Sequence, residues 1–163
     1  MNKKILYLIL CLAPFIDSCE NRNSIKLKDD VDAVEKSIIQ VESIFKKLDD
    51  SVNLMFVEND NLYINQTDYG NFDSITKEHI QELKQLDTSD WKLLKNNLKL
   101  LQRNNINGFS RTRHGFIRFI YKKESDEAYM QRYIALDSGN LKLEHTGYKF
   151  LDRKSNLVLL SGR

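Results

Sequence analysis

Cysteine and proline are almost absent from this chain, and the few that occur lie near its N-terminus. Cys11, Cys19 and Pro14 are the only residues of these two types among 163. Residues 20–163 therefore hold no disulfide and offer no thiolate to a zinc ion, because both require cysteine. A chain of this length can bury roughly two thirds of its unfolded surface, which suffices for a core without cross-links. We expect one domain stabilised by its core alone.

Long hydrophobic runs are also absent. The longest, residues 5–16, would rise about 18 Å as a helix, whereas the hydrocarbon core of a bilayer is roughly 30 Å thick. The run follows Lys3 and Lys4 and is closely followed by the small Ser18, an order typical of a secretory signal peptide. The sequence therefore predicts export. Two alternatives are an uncleaved anchor, which needs a longer run, and cleavage elsewhere, which would leave Cys19 an ordinary thiol.

The end of this segment resembles the lipobox of bacterial lipoproteins, in which an aliphatic residue and two small residues precede a cysteine. The four positions here are Ile16, Asp17, Ser18 and Cys19, and Asp17 departs from the usual small residue. The resemblance implies cleavage before Cys19 and acylation of its thiol, with palmitate among the acyl chains. We further expect a lipid anchor in the cell envelope of a Gram-negative bacterium, at the outer membrane, on its periplasmic face or at the surface. The resemblance covers residues 1–19 only.

Hydrophobic periodicity indicates how the remaining chain folds. Apolar residues at spacings of three and four predict an amphipathic helix over residues 31–48 that packs on a sheet. The stripe is too short for us to expect a coiled coil. Residues 75–86 and 91–101 predict a central helix pair. We therefore divide the chain into a signal peptide (1–18), a tether (19–28) and a single domain (29–163).

The period changes to two beyond residue 107, which predicts strands. Strands joined by short turns must pair antiparallel, because a parallel return needs a crossover of a dozen residues or more. With two short strands in residues 52–65, the sequence predicts an α+β fold. Its antiparallel sheet has five to seven strands, and the N-terminal helix and the central helix pair pack on one face. Residues 109–113 are expected to form an irregular edge strand.

Motifs for catalysis are absent from the sequence. His79, His114 and His145 lie in separate predicted elements, and no two of them have the i, i+4 spacing of a helical metal site. No serine lies in a Gly-x-Ser-x-Gly elbow, and no glycine-rich loop could hold a phosphate. We therefore expect no metal, no cofactor and a non-catalytic domain. The alternative is a ligand-binding or accessory enzyme domain for an envelope glycan or lipid, which needs a cavity between the helices and the sheet.

Charge is nearly balanced overall, at +2, but it is unevenly distributed. Residues 29–90 hold fifteen acidic and five basic residues, whereas residues 92–123 hold nine basic residues and no acidic one. Two explanations remain open at this point. The two regions pair with each other inside the fold, or a basic face remains free to meet an acidic partner.

Aromatic residues interleave with the basic ones, which is typical of a surface that binds planar anionic groups. The candidate binding residues are Arg111, Arg113, Arg118, Arg132, Tyr121 and Tyr133. Alternatively, Arg118 and Arg132 lie opposite each other on neighbouring strands and only cover the solvent face of the sheet. Export argues against a nucleic acid. We expect an envelope or secreted protein as the partner, for example a toxin that an immunity-type lipoprotein neutralises.

Overall fold

The computed structural model describes residues 24–112, 116–122, 132–137 and 148–162. The helices in these residues are α1 (Val31–Phe45) and α2 (Thr88–Arg103). The strands are β1 (Leu54–Glu58), β2 (Asn61–Ile64), β3 (Thr67–Asn71), β4 (Ile106–Arg111), β5 (Ile117–Tyr121), β6 (Arg132–Leu136), β7 (Lys149–Lys154) and β8 (Leu157–Ser161).

All eight strands belong to one sheet in the order β3-β2-β1-β4-β5-β6-β8-β7, and every neighbouring pair is antiparallel. The α+β class is therefore confirmed, but the expected five to seven strands is wrong. β3 is polar and forms an edge, so it carries little of the buried alternation that predicts a strand. β4 is also not an edge strand. It lies between β1 and β5, and its Phe109 is fully buried.

Both helices pack on one face of the sheet, because each presents a single apolar stripe. Val34, Ile38 and Val41 of α1 are fully buried, and they share one core with strand residues of β1, β4 and β5. α2 begins after Asp87, whose carboxylate accepts the backbone N–H of Asp90 at 2.7 Å and so caps the helix. No helix among the residues that the structure describes is long and apolar enough to cross a membrane.

The predicted central pair contains only one α-helix. Residues 75–86 instead form two 3₁₀ turns, Lys77–His79 and Gln81–Leu83. The buried Ile80, Leu83 and Leu86 are spaced by three, which matches the three residues per turn of a 3₁₀ helix. Backbone hydrogen bonds from Leu83 to Ile80 and from Leu86 to Leu83 follow the same spacing.

The chain that enters the domain is fixed to it over residues 25–29, which we call the strap. Ile25 is buried, and its N–H donates to Asp152 Oδ2 of β7 at 2.8 Å. The Tyr121 hydroxyl accepts the N–H of Lys26 at 3.1 Å and donates to its carbonyl at 3.2 Å. The N–H groups of Lys28 and Asp29 both donate to Asn104 Oδ1, at 2.8 and 2.9 Å. Most of these residues belong to the stretch predicted as a tether, yet they lie against the domain.

Candidate binding face

The sheet face opposite the helices carries a row of six large apolar side chains, interrupted by one glycine. Residues directly opposite each other on antiparallel strands point to the same side of the sheet. Successive pairings across β2, β1, β4, β5, β6, β8 and β7 place one residue from each strand in a single line. We call these residues the aromatic row: Tyr63, Phe56, Gly108, Ile120, Tyr133, Leu160 and Phe150.

Gly108 allows two strands to pack closely at the centre of this row. A Cβ atom at this position would lie 2.3 Å from the Met55 carbonyl oxygen and 2.4 Å from Phe56 Cβ. Phe56 in turn stacks on Tyr63, with ring centroids 4.8 Å apart and an angle of 6° between the rings. The missing side chain of Gly108 is therefore what lets Phe56 lie against β4.

Arg118 is held beside the aromatic row by three side chains. Its Cζ lies 4.0 Å from the Tyr133 ring centroid and 5.3 Å from that of Tyr148. Its Nε donates to Ser110 Oγ at 2.8 Å. Tyr133 and Tyr148 meet edge to face at 5.7 Å, and Phe116 extends the group beyond Tyr148 at 6.2 Å. The guanidinium is thus oriented by aromatic stacking and one hydrogen bond.

No carboxylate pairs with Arg118 among the residues that the structure describes. Its Nε is used, but its two terminal amines have no hydrogen-bond acceptor in that part of the chain. The side chain is only partly exposed, so solvent screens its charge less than it would at an open surface. An oriented guanidinium with free donors suits a carboxylate or another planar anion.

Part of this face is buried and part is accessible. Tyr133, Ala135, Val158 and Leu160 form a second buried cluster, each exposed by 6% or less, and this cluster supports the face. Phe150 is 46% exposed, while Phe56 and Tyr63 are half-buried.

Arg111 lies on the helix side of the sheet and is already paired. Its guanidinium forms an ion pair with Asp50 and lies 5.1 Å from the centroid of the Phe45 ring. Lys122 likewise pairs with Glu58 at 3.4 Å.

Two further basic residues of the 92–123 region bind acidic residues of the preceding region. Lys99 contacts Asp73 at 2.6 Å, and its hydrogen bond lowers the pKa of the Asp73 carboxyl. Arg103 lies 3.8 Å from Asp29. Together with Arg111 and Lys122, these pairs favour mutual neutralisation of the two charged regions over a free basic face.

Tyr121 and Arg132 also lie away from Arg118. They are paired across β5 and β6, so they share the helix side of the sheet, where they are 2% and 5% exposed. The register thus places Tyr121, and not Arg118, opposite Arg132, so the expectation that the two arginines face each other is wrong. Of the six candidate residues the structure brings together Arg118 and Tyr133. Arg113 lies outside the described residues, as does Cys19.

Ser110, Phe116 and Phe56 contribute to the face but were not among the candidate residues. The sequence of β5 could have indicated this face, because the residues on both sides of the strand are apolar apart from Arg118. A strand that is apolar on both sides indicates that both faces of the sheet are packed or used.

Histidine, acidic and tyrosine side chains are the further candidates for chemistry among the described residues. No three His, Cys, Asp or Glu side chains among them come together to hold a metal ion. His79 Nδ1 lies 3.0 Å from Thr76 Oγ1, and the other two histidines lie outside the described ranges. Tyr69 lines a surface cavity of about 590 Å³, where it donates to both oxygens of Glu82 at 2.7 and 2.8 Å. Burial and this contact raise the pKa of Tyr69 to about 12.

No family model, no curated protein and no solved structure matches the chain.

Proposed function

We propose that this chain is a lipid-anchored envelope lipoprotein whose non-catalytic domain binds a protein partner through the sheet face around Arg118. The observation that carries the proposal is the guanidinium of Arg118, which Tyr133, Tyr148 and Ser110 orient while its terminal amines remain without a carboxylate in the described chain. Orienting a side chain before binding reduces the entropy that binding costs.

The partner that fits this face carries an acidic side chain next to apolar ones. A carboxylate would accept hydrogen bonds from the Arg118 amines, and apolar side chains would cover Phe150 and the half-buried Phe56 and Tyr63. Arginine and aromatic residues are the types that most often dominate binding energy at protein interfaces. A secreted toxin that is neutralised at the envelope is one partner of this kind.

The two edges of the sheet are poor sites for such a partner, which favours the face. β7 carries the charged residues Lys149, Asp152, Arg153 and Lys154, and charged edge strands resist pairing with another chain. β3 is short, and its pairing with β2 contains an irregularity between Asn61 and Tyr63. Strand addition by the partner is therefore disfavoured at either edge.

The lipid anchor rests on the lipobox-like residues 16–19 and the signal-peptide order before them. The outer membrane is the location that we propose. Metabolic labelling with an alkyne analogue of palmitate tests the anchor. We expect label on the wild type and none on Cys19→Ser, whereas label that survives this change would overturn acylation at Cys19.

The alternative of a glycan- or lipid-binding domain requires room between α1 and the sheet. That space is filled by Ile38, Val41, Phe45, Met55 and Phe109, all of which are fully buried. A second surface cavity, of about 600 Å³, lies at the C-terminal end of α2 instead, beside Phe72 and Leu100. The packed interior favours the binding-face proposal over this alternative.

Affinity capture from membranes tests the role of Arg118. The tagged lipoprotein is cross-linked in cells, extracted with detergent, and its captured proteins are quantified by mass spectrometry. We expect Arg118→Glu to lower recovery of the specific partner by about tenfold or more, because truncating a buried charge pair costs roughly 2–5 kcal/mol. Lys92→Glu, an exposed change on α2, is the matched control and leaves recovery unchanged. Equal recovery with both variants would contradict the proposal.

A further inference from the structure

The strap determines where the chain leaves the domain. It crosses the helix side of the sheet from Asp152 of β7 to Tyr121 of β5, and then reaches Asn104 at the C-terminal end of α2. Five backbone groups of residues 25–29 are hydrogen-bonded along this path. The first residue of the strap, Ile25, is therefore a fixed point on the domain that lies close in sequence to the proposed anchor.

Little chain separates this fixed point from the proposed anchor. Six residue steps lead from Cys19 to Ile25. At about 3.3–3.6 Å per step, a fully extended chain spans roughly 20 Å at most. The domain therefore has to remain near the lipid headgroups, and the strap is the part of it that lies closest to the anchor along the chain.

The two ends of the domain are well separated along α2. Asn104, just beyond the helix, contacts the strap, whereas Asp90 in its first turn pairs with Lys47 at 2.7 Å, beyond the end of α1. Fourteen helical steps between Asp90 and Asn104 correspond to about 21 Å. The Arg111–Asp50 pair lies at the same end as Asp90, next to the last residue of α1.

We infer that the strap end of the domain lies against the phospholipid headgroups, and that the end with Asp50 and Asp90 points away from the membrane. This inference rests on the proposed lipid anchor at Cys19. In this orientation the strands run away from the membrane. The face around Arg118 is then upright on the membrane surface and not pressed against it, so an envelope protein can reach it.

Energy transfer from tryptophan to the membrane tests this orientation. Residues 19–163 are coupled through the Cys19 thiol to a maleimide lipid in phosphatidylcholine vesicles that contain a dansyl-headgroup lipid. Trp91, the only tryptophan of the chain, is kept, and a second one is added at the strap end (Lys28→Trp) or at the far end (Thr88→Trp). Both added positions are exposed in the wild type.

Dansyl lipid should quench the fluorescence of the added tryptophan more strongly in Lys28→Trp than in Thr88→Trp. We expect a difference of roughly threefold or more, because the two ends are about 20 Å apart. Equal or reversed quenching would overturn the orientation. If Lys28→Trp does not fold by circular dichroism, Lys149→Trp probes the same end through β7. In cells, missing palmitate label would overturn both the anchor and the orientation, whereas normal labelling with reversed quenching would overturn the orientation alone.

Discussion

The guanidinium of Arg118 stacks on Tyr133, with its Cζ 4.0 Å from the ring centroid. Tyr133 is 6% exposed and belongs to a buried cluster, so the ring provides a fixed platform. Ser110 adds one hydrogen bond to the Arg118 Nε. The position of this charge is thus set by the domain itself before any partner binds.

The stacking of Arg118 on Tyr133 predicts a measurable coupling between the two residues. We expect Arg118→Met and Tyr133→Leu to show a coupling free energy of about 0.5–2 kcal/mol in a double-mutant cycle, because a cation over an aromatic face is stabilised by this amount. Urea unfolding of the four proteins provides the measurement. Tyr63→Leu, three strands away, is the control and should be additive with Arg118→Met. Additive effects for the Tyr133 pair would show that the stacking contributes nothing.

The strap depends on Asn104, which is fully buried and forms four hydrogen bonds. It accepts the N–H groups of Lys28 and Asp29 and donates to Asp29 Oδ2 and the Leu100 carbonyl, at 2.8 and 2.9 Å. Asn104→Ala leaves buried polar groups without partners, so we expect a loss of about 2–3 kcal/mol in unfolding free energy.

Chemical denaturation measures that loss, and hydrogen exchange should become faster in residues 25–29. Asn96→Ala, at an exposed position of α2, is the matched control and should change stability by less than about 0.5 kcal/mol. Unchanged exchange in the strap would contradict the role of Asn104.

Alanine substitutions at Gly108 and Gly70 should destabilise the fold for two different reasons, steric overlap and backbone strain. Gly108→Ala puts a Cβ within 2.4 Å of Phe56, which forces the strands apart, so we expect a loss of about 2–4 kcal/mol. Gly70→Ala meets no atom within 4 Å but has a φ of +84°, so we expect about 1–2 kcal/mol of backbone strain. Thermal and urea unfolding compare the two variants. A larger loss for Gly70→Ala would mean that the close approach at Gly108 is not needed.

The hydroxyl of Tyr69 predicts that the stability of the fold depends on pH at high pH. Its pKa is raised from 10 to about 12, first by burial and then by the hydrogen bond to Glu82. The folded state therefore favours the protonated phenol, and this stabilisation is complete below pH 10 and lost as the pH rises through about 12. The difference in ultraviolet absorbance between wild type and Tyr69→Phe should titrate near pH 12.

Glu82→Gln should lower that midpoint towards 10 without reaching it, because burial of the phenol remains. A midpoint near 10 in the wild type would show that neither burial nor Glu82 acts on Tyr69.

Periodicity predicted the parts of the fold that depend on local pattern. The stripe from Val34 to Phe45 predicted α1, and alternation predicted several strands of the sheet, because burial on one side imposes these periods. β3 was not predicted, since its residues TDYGN lack an apolar alternation. It is paired through a turn in which Asn65 and Gln66 both have positive φ, a conformation typical of tight hairpins.

Which residues lie on the binding face depends on the register in which the strands pair, and the sequence does not encode that register directly. A shift by one residue moves every side chain of a strand to the other face. The alternation of side chains along β5 already places Arg118 and Tyr121 on opposite sides of the sheet. Both were nevertheless assigned to one candidate surface, because that assignment used composition alone. The strap was not predictable either. Residues 20–28 have no hydrophobic period, and the strap is held by the distant Asn104, Tyr121 and Asp152.

Site-specific photo-cross-linking in living cells tests the binding face most directly. Benzoylphenylalanine is placed at Phe150 on the face or at Ile39 on α1, two large apolar residues with similar exposure, 46% and 52%. We expect a cross-linked partner protein from position 150 that disappears when Arg118→Glu is added, and none from position 39. A cross-link from position 39 alone, or one from position 150 that persists with Arg118→Glu, would contradict the account.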